Sequence, residues 1–398
     1  MVDDVRMTSK VDRRKVLQGL AVAPLAARAW WAEAASADVS LTASPATLFV
    51  GTQSKESSKG IYAYKWNAEK GEITLIGLAA ETPSPTFLAL SPDAKFMYAA
   101  NEVDSFHGVK GGGVSSFVVD AKAGKLTAIN AVSAKGTGTC HVAVDRTGQA
   151  VFCANYSGGS AASFHVKADG GLTDAVSDFQ YSGHGPRAEQ EMAHAHRVTV
   201  TPDNRYLLVN DLGLDCIHIY TLDAATAKLT AHDPPEWKSE PGAGPRALRF
   251  HPNGKWAYCV LELSSEVAAL RWDPQAGSLT TMQTVSLIPE GYTGKKPHGS
   301  EIVIDRAGRF AYACDRFDDV LVSFKVDPAT GKLTKLGSSK YGGKTPRHFA
   351  LDPTERSMLV ANQDSDTISV VRRDTKTGLL GETGKEFPIV KPQCLVFV

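Results

Sequence analysis

Histidines and arginines gather at one position of a repeated sequence unit. They precede or begin the first strand pattern of that unit and are His141, His194, His196, His298, His348, Arg246 and Arg347. Imidazole can accept or donate a proton near neutral pH, and guanidinium binds carboxylate, phosphate or a developing oxyanion. We therefore expect chemistry on a small anionic or carbonyl substrate where these side chains meet.

The unit that carries these residues recurs about every 50 residues and reads as four short strands. Six complete units begin near residues 85, 140, 195, 245, 299 and 346. Alternating apolar residues, separated by Gly, Pro, Asn and Asp turns, support each strand. Four strands at this period predict a propeller, because equivalent residues of every blade then surround one axis.

A seventh unit is split between the two ends of the chain. Strand patterns at 48–51, 61–65 and 73–76 lack a first strand, and residues 394–398 form a strand without partners. Joining them closes the ring and leaves only short sheet edges. The sequence thus predicts an all-β, seven-bladed β-propeller whose first blade is closed by the C-terminal strand.

The chemistry-bearing residues should share one face of this ring. The first strand of a blade begins where the second strand ends, because the two are antiparallel neighbours. Glu301 aligns with His141 one residue into the first strand, and Asn155 ends a second strand. Asn155 has an alternative role as a turn cap. The opposite face receives Ser-Pro-Asp type turns, which need only turn chemistry.

The first 37 residues predict a signal peptide rather than part of the fold. Arg13 and Arg14 precede an apolar stretch (20–29), and small residues at 35–37 offer a cleavage site. The stretch is too short for a membrane anchor. We expect export by the twin-arginine machinery and a periplasmic propeller over residues 38–398. A disordered basic N-terminus is the alternative.

Composition excludes several functions. Lys+Arg and Asp+Glu both number 43, so no net charge attracts nucleic acid. The six cysteines include no CxxC pair and no zinc-type spacing, which favours buried free thiols. The pair His194 and His196 has a spacing that could ligate a metal, but we expect no cofactor.

Several motifs together resemble the 6-phosphogluconolactonase-type lactonase family, a family of seven-bladed propellers related to a carboxymuconate cyclase. They span nearly the whole predicted mature chain and are Cys140-His-Val, Ala154-Asn-Tyr-Ser-Gly-Gly-Ser160, His194-Ala-His196, Pro241-Gly-Ala-Gly-Pro-Arg246, Gly342-Gly-Lys-Thr-Pro-Arg-His348 and Ala361-Asn-Gln-Asp-Ser-Asp-Thr367. The resemblance implies lactone chemistry at the channel mouth, carried by a His, an Arg and a Glu.

The resemblance points to the site residues His141, His194, His196, Arg246 and Glu191. Where relatives carry an arginine before the Gln-Glu pair, this chain has Glu189, and Arg187 is the nearest substitute. Exported proteins seldom meet phosphorylated sugars, so the lactone class is a firmer expectation than the phosphate.

The expected reaction is hydrolysis of a sugar-derived lactone. His141 is the first candidate for general base, and His196 the next. Arg246 and Arg347 would bind the oxyanion or a substrate anion, and Glu191 would orient a histidine or the water. The rate should then rise with pH through the ordinary imidazole pKa of about 6.5. A muconolactone-type cycloisomerase and a non-catalytic binding or scaffold propeller are the alternatives.

Overall fold

The computed structural model describes residues 46–398, except 55–57, 290, 292, 295–297 and 317; the side chains of 382 and 383 are likewise not described. The predicted signal peptide, residues 1–37, lies outside the described residues. Across the described part of the chain, no helix is long and apolar enough to cross a membrane.

Seven four-stranded antiparallel sheets make up the fold. The first strands in chain order are β1 (Ala46–Thr52), β2 (Gly60–Asn67), β3 (Glu72–Glu81), β4 (Pro85–Leu90), β5 (Phe96–Asn101), β6 (Ser105–Phe106), β7 (Val109–Lys110), β8 (Gly113–Asp120), β9 (Lys125–Ser133), β10 (Thr139–Val144), β11 (Ala150–Asn155), β12 (Ser160–Val166) and β13 (Leu172–Gln180). A 3-10 helix, η1 (Ala188–Gln190), precedes the fourth blade.

The remaining strands are β14 (Ala195–Val200), β15 (Tyr206–Asp211), β16 (Cys216–Asp223), β17 (Lys228–Lys238), β18 (Pro245–Phe250), β19 (Trp256–Leu261), β20 (Glu266–Asp273), β21 (Ser278–Ser286), β22 (Gly299–Ile304), β23 (Phe310–Asp315), β24 (Val320–Val326), β25 (Leu333–Lys340), β26 (Pro346–Leu351), β27 (Ser357–Asn362), β28 (Thr367–Arg373), β29 (Leu380–Pro388) and β30 (Pro392–Phe397).

The first strands of the seven blades contact one another in a closed circle: β30, β4, β10, β14, β18, β22 and β26. These innermost strands, here called strands A, line the central channel. Blade 1 has the order β3-β2-β1-β30, and β30 pairs with β1 through Leu48–Phe397 and Val50–Leu395. The predicted fold and its closure by the C-terminal strand are therefore confirmed.

The core lies between neighbouring blades. The second strand of a blade is buried on both of its faces, as in β19, where all six residues are buried. Its Tyr258 hydroxyl donates to the carbonyl of Gly331 in the next blade (2.8 Å), and Tyr98 and Tyr312 repeat this bond in two other blades. Repetition of one apolar pattern and one interblade hydrogen bond thus holds the ring. All six cysteines are free and buried, as the sequence predicts.

Candidate active site

A β-bulge at the start of strand A shapes the channel wall. In blade 3 the pairing passes from Thr139–Asn155 directly to His141–Ala154, which leaves Cys140 as an extra residue. The other six strands A carry the same irregularity. A regular strand would send consecutive side chains to opposite faces, whereas a bulge re-aims one of them. Two consecutive residues of a blade can therefore both face the channel.

Two cavities meet inside the channel. A small pocket of about 20 Å³ lies at the predicted mouth and is lined by His141, His196, Arg246, Glu301 and Arg347, among others. A larger cavity of about 730 Å³ extends from there to the turns on the opposite face. That face, expected to need only turn chemistry, therefore carries most of the channel volume.

Four residues line both cavities and are here called the dividing layer: Phe87, His141, Arg197 and His348. The Arg197 guanidinium lies 5.6 Å from the centre of the Phe87 ring, and the imidazole of His141 packs against that ring at 4.0 Å. A group bound in the larger cavity would thus meet an imidazole and a guanidinium at its inner end.

Glu301 fixes the charges of this layer. Its carboxylate accepts two hydrogen bonds from Nη1 of Arg197 (2.9 and 3.0 Å), and Nε of Arg249 lies 3.7 Å from Oε1. Burial opposes ionisation, but the two guanidiniums hold the pKa of Glu301 at about 2. The carboxylate is therefore too weak a base to activate water, and it orients the arginines instead.

Arg249 is the more available of the two guanidiniums. It belongs to strand A of blade 5 and lies deep in the fold, yet 42% of its side-chain surface is accessible because it faces the larger cavity. Its Nε is a buried atom and donates no hydrogen bond within the described residues, so a ligand in the cavity would meet the rest of the side chain. The two Nη groups are the donors that Arg249 can offer there.

His141, which lines both cavities, is placed as a hydrogen-bond donor in the dividing layer. Its Nδ1 accepts the backbone N–H of Val198 (3.4 Å), which assigns the ring proton to Nε2. Nε2 is buried and has no hydrogen-bond partner within the described residues. Burial, followed by Arg197, lowers the pKa of His141 well below its ordinary value, so the ring is neutral. This geometry disfavours the predicted role as general base, because Nε2 then carries no free lone pair.

His348 repeats this arrangement on the other side of the layer. Its Nδ1 accepts the backbone N–H of Leu395 (3.3 Å), and Nε2 lies 4.0 Å from Oε2 of Glu301. Burial lowers the pKa of His348 to about 4. Both imidazoles of the dividing layer are therefore neutral donors at physiological pH.

The mouth arginines are already paired with carboxylates. Arg246 contacts Oε2 of Glu262 through Nε (2.8 Å) and donates to the carbonyl of Ser300. Arg316 donates to the same carboxylate, and Nδ1 of His298 lies 3.5 Å from it. Burial lowers the pKa of Arg246 to about 10, which leaves it charged at neutral pH. Its bracing role explains its burial better than a role in holding the oxyanion does.

The predicted pair of histidines divides between two environments. His196 lines the small pocket, and burial followed by Arg246 lowers its pKa well below the ordinary value. Nδ1 of His194 donates to the carbonyl of Tyr156 (3.0 Å), and its ring stacks on the Tyr156 ring. His194 lines neither cavity. The two imidazoles therefore do not form one metal site.

Four further predicted residues also line neither cavity: Glu191, Arg187, Asn155 and His298, whose imidazole contacts Glu262. The side chain of Glu191 is 65% exposed and contacts Nε2 of His194 (3.5 Å). Arg187 caps η1. The amide of Asn155 bonds with Thr139, Ser160 and the carbonyl of Ala134, which is the turn-capping alternative. The polar atoms of Asn155 are thus already bonded within the blade, which favours the turn-capping role over substrate binding.

Arg347 reaches the small pocket but also pairs with Glu102 (3.4 Å). Four residues of this region had no predicted role: Arg197, Arg249, Glu262 and Arg316. Arg197 had a usable signal, because it aligns with His141 and Glu301 in the repeat. The other three need the channel geometry to be recognised.

Comparisons with known proteins agree with the fold and cover the propeller. Residues 47–397 match the family model described as "Lactonase, 7-bladed beta-propeller". The chain is similar to a 6-phosphogluconolactonase of Bacillus subtilis, with 34% identity over 88% of this chain and 97% of that protein. It also resembles the solved structure of a Pseudomonas aeruginosa periplasmic gluconolactonase. The two are 34% identical, the TM-score is 0.83, and the match covers 89% of this chain and 99% of that chain.

Proposed function

The chain belongs to the seven-bladed β-propeller lactonase family, and on this premise we propose that it opens a sugar-derived lactone by water attack inside the channel. It is a hydrolase, like the relatives named as 6-phosphogluconolactonase and gluconolactonase. The observation that carries the mechanism is the dividing layer between a large and a small cavity.

The sizes of the two cavities suit the two reactants. A volume of about 730 Å³ is typical of a small-molecule site and admits a six-membered sugar lactone. The small pocket of about 20 Å³ has room for roughly one water molecule. A lactone in the larger cavity, with its carbonyl at the dividing layer, would have hydrogen-bond donors on the channel wall beside that carbonyl. The water molecule would lie in the small pocket on the far side of the layer.

Each step of lactone hydrolysis can then be assigned to a residue of the channel. The water oxygen attacks the carbonyl carbon while Nε2 of His196 takes a water proton. The developing oxyanion receives hydrogen bonds from Nε2–H of His141 and from Arg249. The bond between the carbonyl carbon and the ring oxygen then breaks, and the ring oxygen takes the proton back from His196 to give the open hydroxy acid. Glu301 keeps Arg197 and His348 in position throughout.

We further propose a neutral aldonolactone as the substrate. Four guanidiniums in or beside the small pocket already lie within 4 Å of a carboxylate: Arg197, Arg246, Arg316 and Arg347. These four guanidiniums share three carboxylates, Glu301, Glu262 and Glu102, so most of their charge is offset before a phosphate could bind. The periplasmic gluconolactonase of Pseudomonas aeruginosa, a neighbour in both sequence and fold, supports the same choice.

A substrate screen tests this function. Purified protein of residues 38–398 should release acid from glucono-1,5-lactone faster than buffer alone at the same pH, and faster than from the 6-phosphorylated lactone. A preference for a muconolactone would favour the cycloisomerase. Rates equal to the buffer rate on all three substrates would contradict a lactonase and favour a scaffold.

The export route stays a prediction of its own. Replacing Arg13 and Arg14 by lysine should leave uncleaved precursor in the cytoplasm, because the twin-arginine pair is the recognised feature of such a leader. Fractionation and immunoblotting of the parent and the double variant give the measurement. A double variant that still reaches the periplasm in processed form would show that this route is not used.

A further inference from the structure

A second cluster of reactive side chains lies in blade 4, outside both cavities. Cys216 and His218 lie on β16, Glu236 on β17, and Asp211 ends β15. One ligand atom each from Cys216, His218 and Glu236 lies within 4.8 Å of the others. The lactonase mechanism uses none of these residues. Their combination of thiol, imidazole and carboxylate is one that binds zinc in proteins.

The spacing of the atoms fits a common ion. Nε2 of His218 lies 3.5 Å from Sγ of Cys216 and 3.6 Å from Oδ2 of Asp211. Nδ1 of the same ring lies 3.9 Å from Oε2 of Glu236. Two ligands of a tetrahedral ion, each about 2.0–2.3 Å from it, are roughly 3.3–3.8 Å apart. An imidazole binds one ion through one nitrogen. Nδ1, which also lies 3.9 Å from Sγ of Cys216, can therefore join that sulfur and Oε2 of Glu236 at the ion, and Nε2 is left to donate to Asp211. A water molecule would supply the fourth ligand.

Asp211 supplies an independent observation. Its side chain is fully buried, and Oδ1 accepts three backbone N–H groups, those of His194, Gly213 and Leu214. Oδ2 accepts no hydrogen bond within the described residues and faces His218. A buried carboxylate oxygen without a donor is costly. Metal binding at Nδ1 would remove that cost, because it keeps the ring proton of His218 on Nε2, which faces Oδ2.

The surroundings hold the ligands in place. The ring of Tyr181 stacks on His218, with centres 4.0 Å apart and planes within 11°. Lys238 pairs with Oε1 of Glu236 (3.0 Å), which leaves Oε2 directed at His218. Such outer contacts orient metal ligands. The side chain of Glu236 is 29% exposed, so an ion can enter from solvent.

A metal-free pairing of His218 with the two carboxylates leaves Cys216 without a function, although the Cys216 sulfur lies as close to the ring as Oδ2 of Asp211 does. We propose that Cys216, His218 and Glu236 bind a divalent transition-metal ion, preferentially Zn²⁺, and that Asp211 orients His218 through Nε2. The ion links β16 and β17. Through His218 and Asp211 it also holds the segment that leads into His196.

Cobalt titration tests the site. Chelator-treated protein should bind one Co²⁺ per chain and show a thiolate-to-cobalt charge-transfer band, which Zn²⁺ then removes. Cys216→Ser should lose that band, because the sulfur is the absorbing ligand. Cys259→Ser, at a buried cysteine of blade 5, is the matched control and should keep it. A band that persists in Cys216→Ser, or no band in the parent, would overturn the proposal.

Glu236→Gln is a second test that should not impair folding, because the Glu236 side chain lies partly at the surface. We expect unchanged circular dichroism and an affinity for Zn²⁺ reduced at least about tenfold. Zn²⁺ should raise the melting midpoint of the parent more than that of this variant. Equal Zn²⁺ affinities in the folded variant and the parent would exclude Glu236 and contradict the proposed three-residue site.

Discussion

Replacing His141 by alanine lowers kcat by about a hundredfold or more and leaves KM nearly unchanged, because the lost hydrogen bond forms mainly in the transition state. The fold should survive, since the imidazole faces a cavity and its Nε2 bonds to no described residue. Steady-state kinetics on the best lactone and a melting curve give both measurements. His184→Ala, at an exposed histidine, is the control and should match the parent.

Two more variants separate a donor from a base at this position. The amide of His141→Gln can donate a hydrogen bond but cannot accept a water proton, so it should retain more activity than His141→Ala. Equal losses in the two variants would contradict the donor role. His196→Ala should instead remove the acid limb of the pH profile of kcat/KM.

The position of that limb follows from burial. A base acts when it is unprotonated, and burial followed by Arg246 lowers the pKa of His196 below its ordinary value. Activity should therefore persist below pH 6.5, the ordinary imidazole pKa, and fall only at more acidic pH. The sequence alone predicted the fall at the ordinary value. An acid limb that persists in His196→Ala would assign the base to another group.

Deleting Cys394–Val398 should prevent cooperative folding or lower the melting midpoint by about 10 °C or more. The deletion removes most of β30, including Cys394 and Leu395, which are at most 3% exposed. A fully buried apolar side chain contributes about 1.5–3 kcal/mol, against a typical net stability of about 5–15 kcal/mol. It also uncovers the edge of β1, which then favours aggregation.

The control for this deletion is the protein of residues 38–398, which keeps β30. Calorimetry and light scattering should show one cooperative transition and no aggregation for it. A truncated protein with the same melting midpoint as this control would mean that β30 contributes little to closure, despite its pairing with β1.

The fold could be predicted because its information is repeated. Each blade carries the same strand and turn pattern, so an unclear copy such as that around Cys140 is read from clear ones such as that around Pro346. Even the split blade follows from counting strands. Local apolar periodicity and turn chemistry decide these features, and both are visible in a single sequence.

For the site, the sequence predicted only the face of the propeller on which it lies. Aligning the repeat brought His141, Glu301 and His348 to one position and His196 to the position before it, and all four line the cavities there. The tautomer of His141 depends on the N–H of Val198 in the next blade, which no local pattern encodes. The exposed position of Glu191 likewise depends on how the segment around η1 packs.

The seven bulges also bear on how such a wall can diversify. A bulge gives each blade two neighbouring positions beside the lumen. Blade 5 shows the range, because it places Arg246 and Ala247 where blade 7 places Arg347 and His348. Exchanging side chains there alters what the lumen recognises and leaves the second to fourth strands of each blade, which carry most of the core, unchanged. The propeller can thus acquire new substrates by substitution at these positions alone, without insertions in its loops.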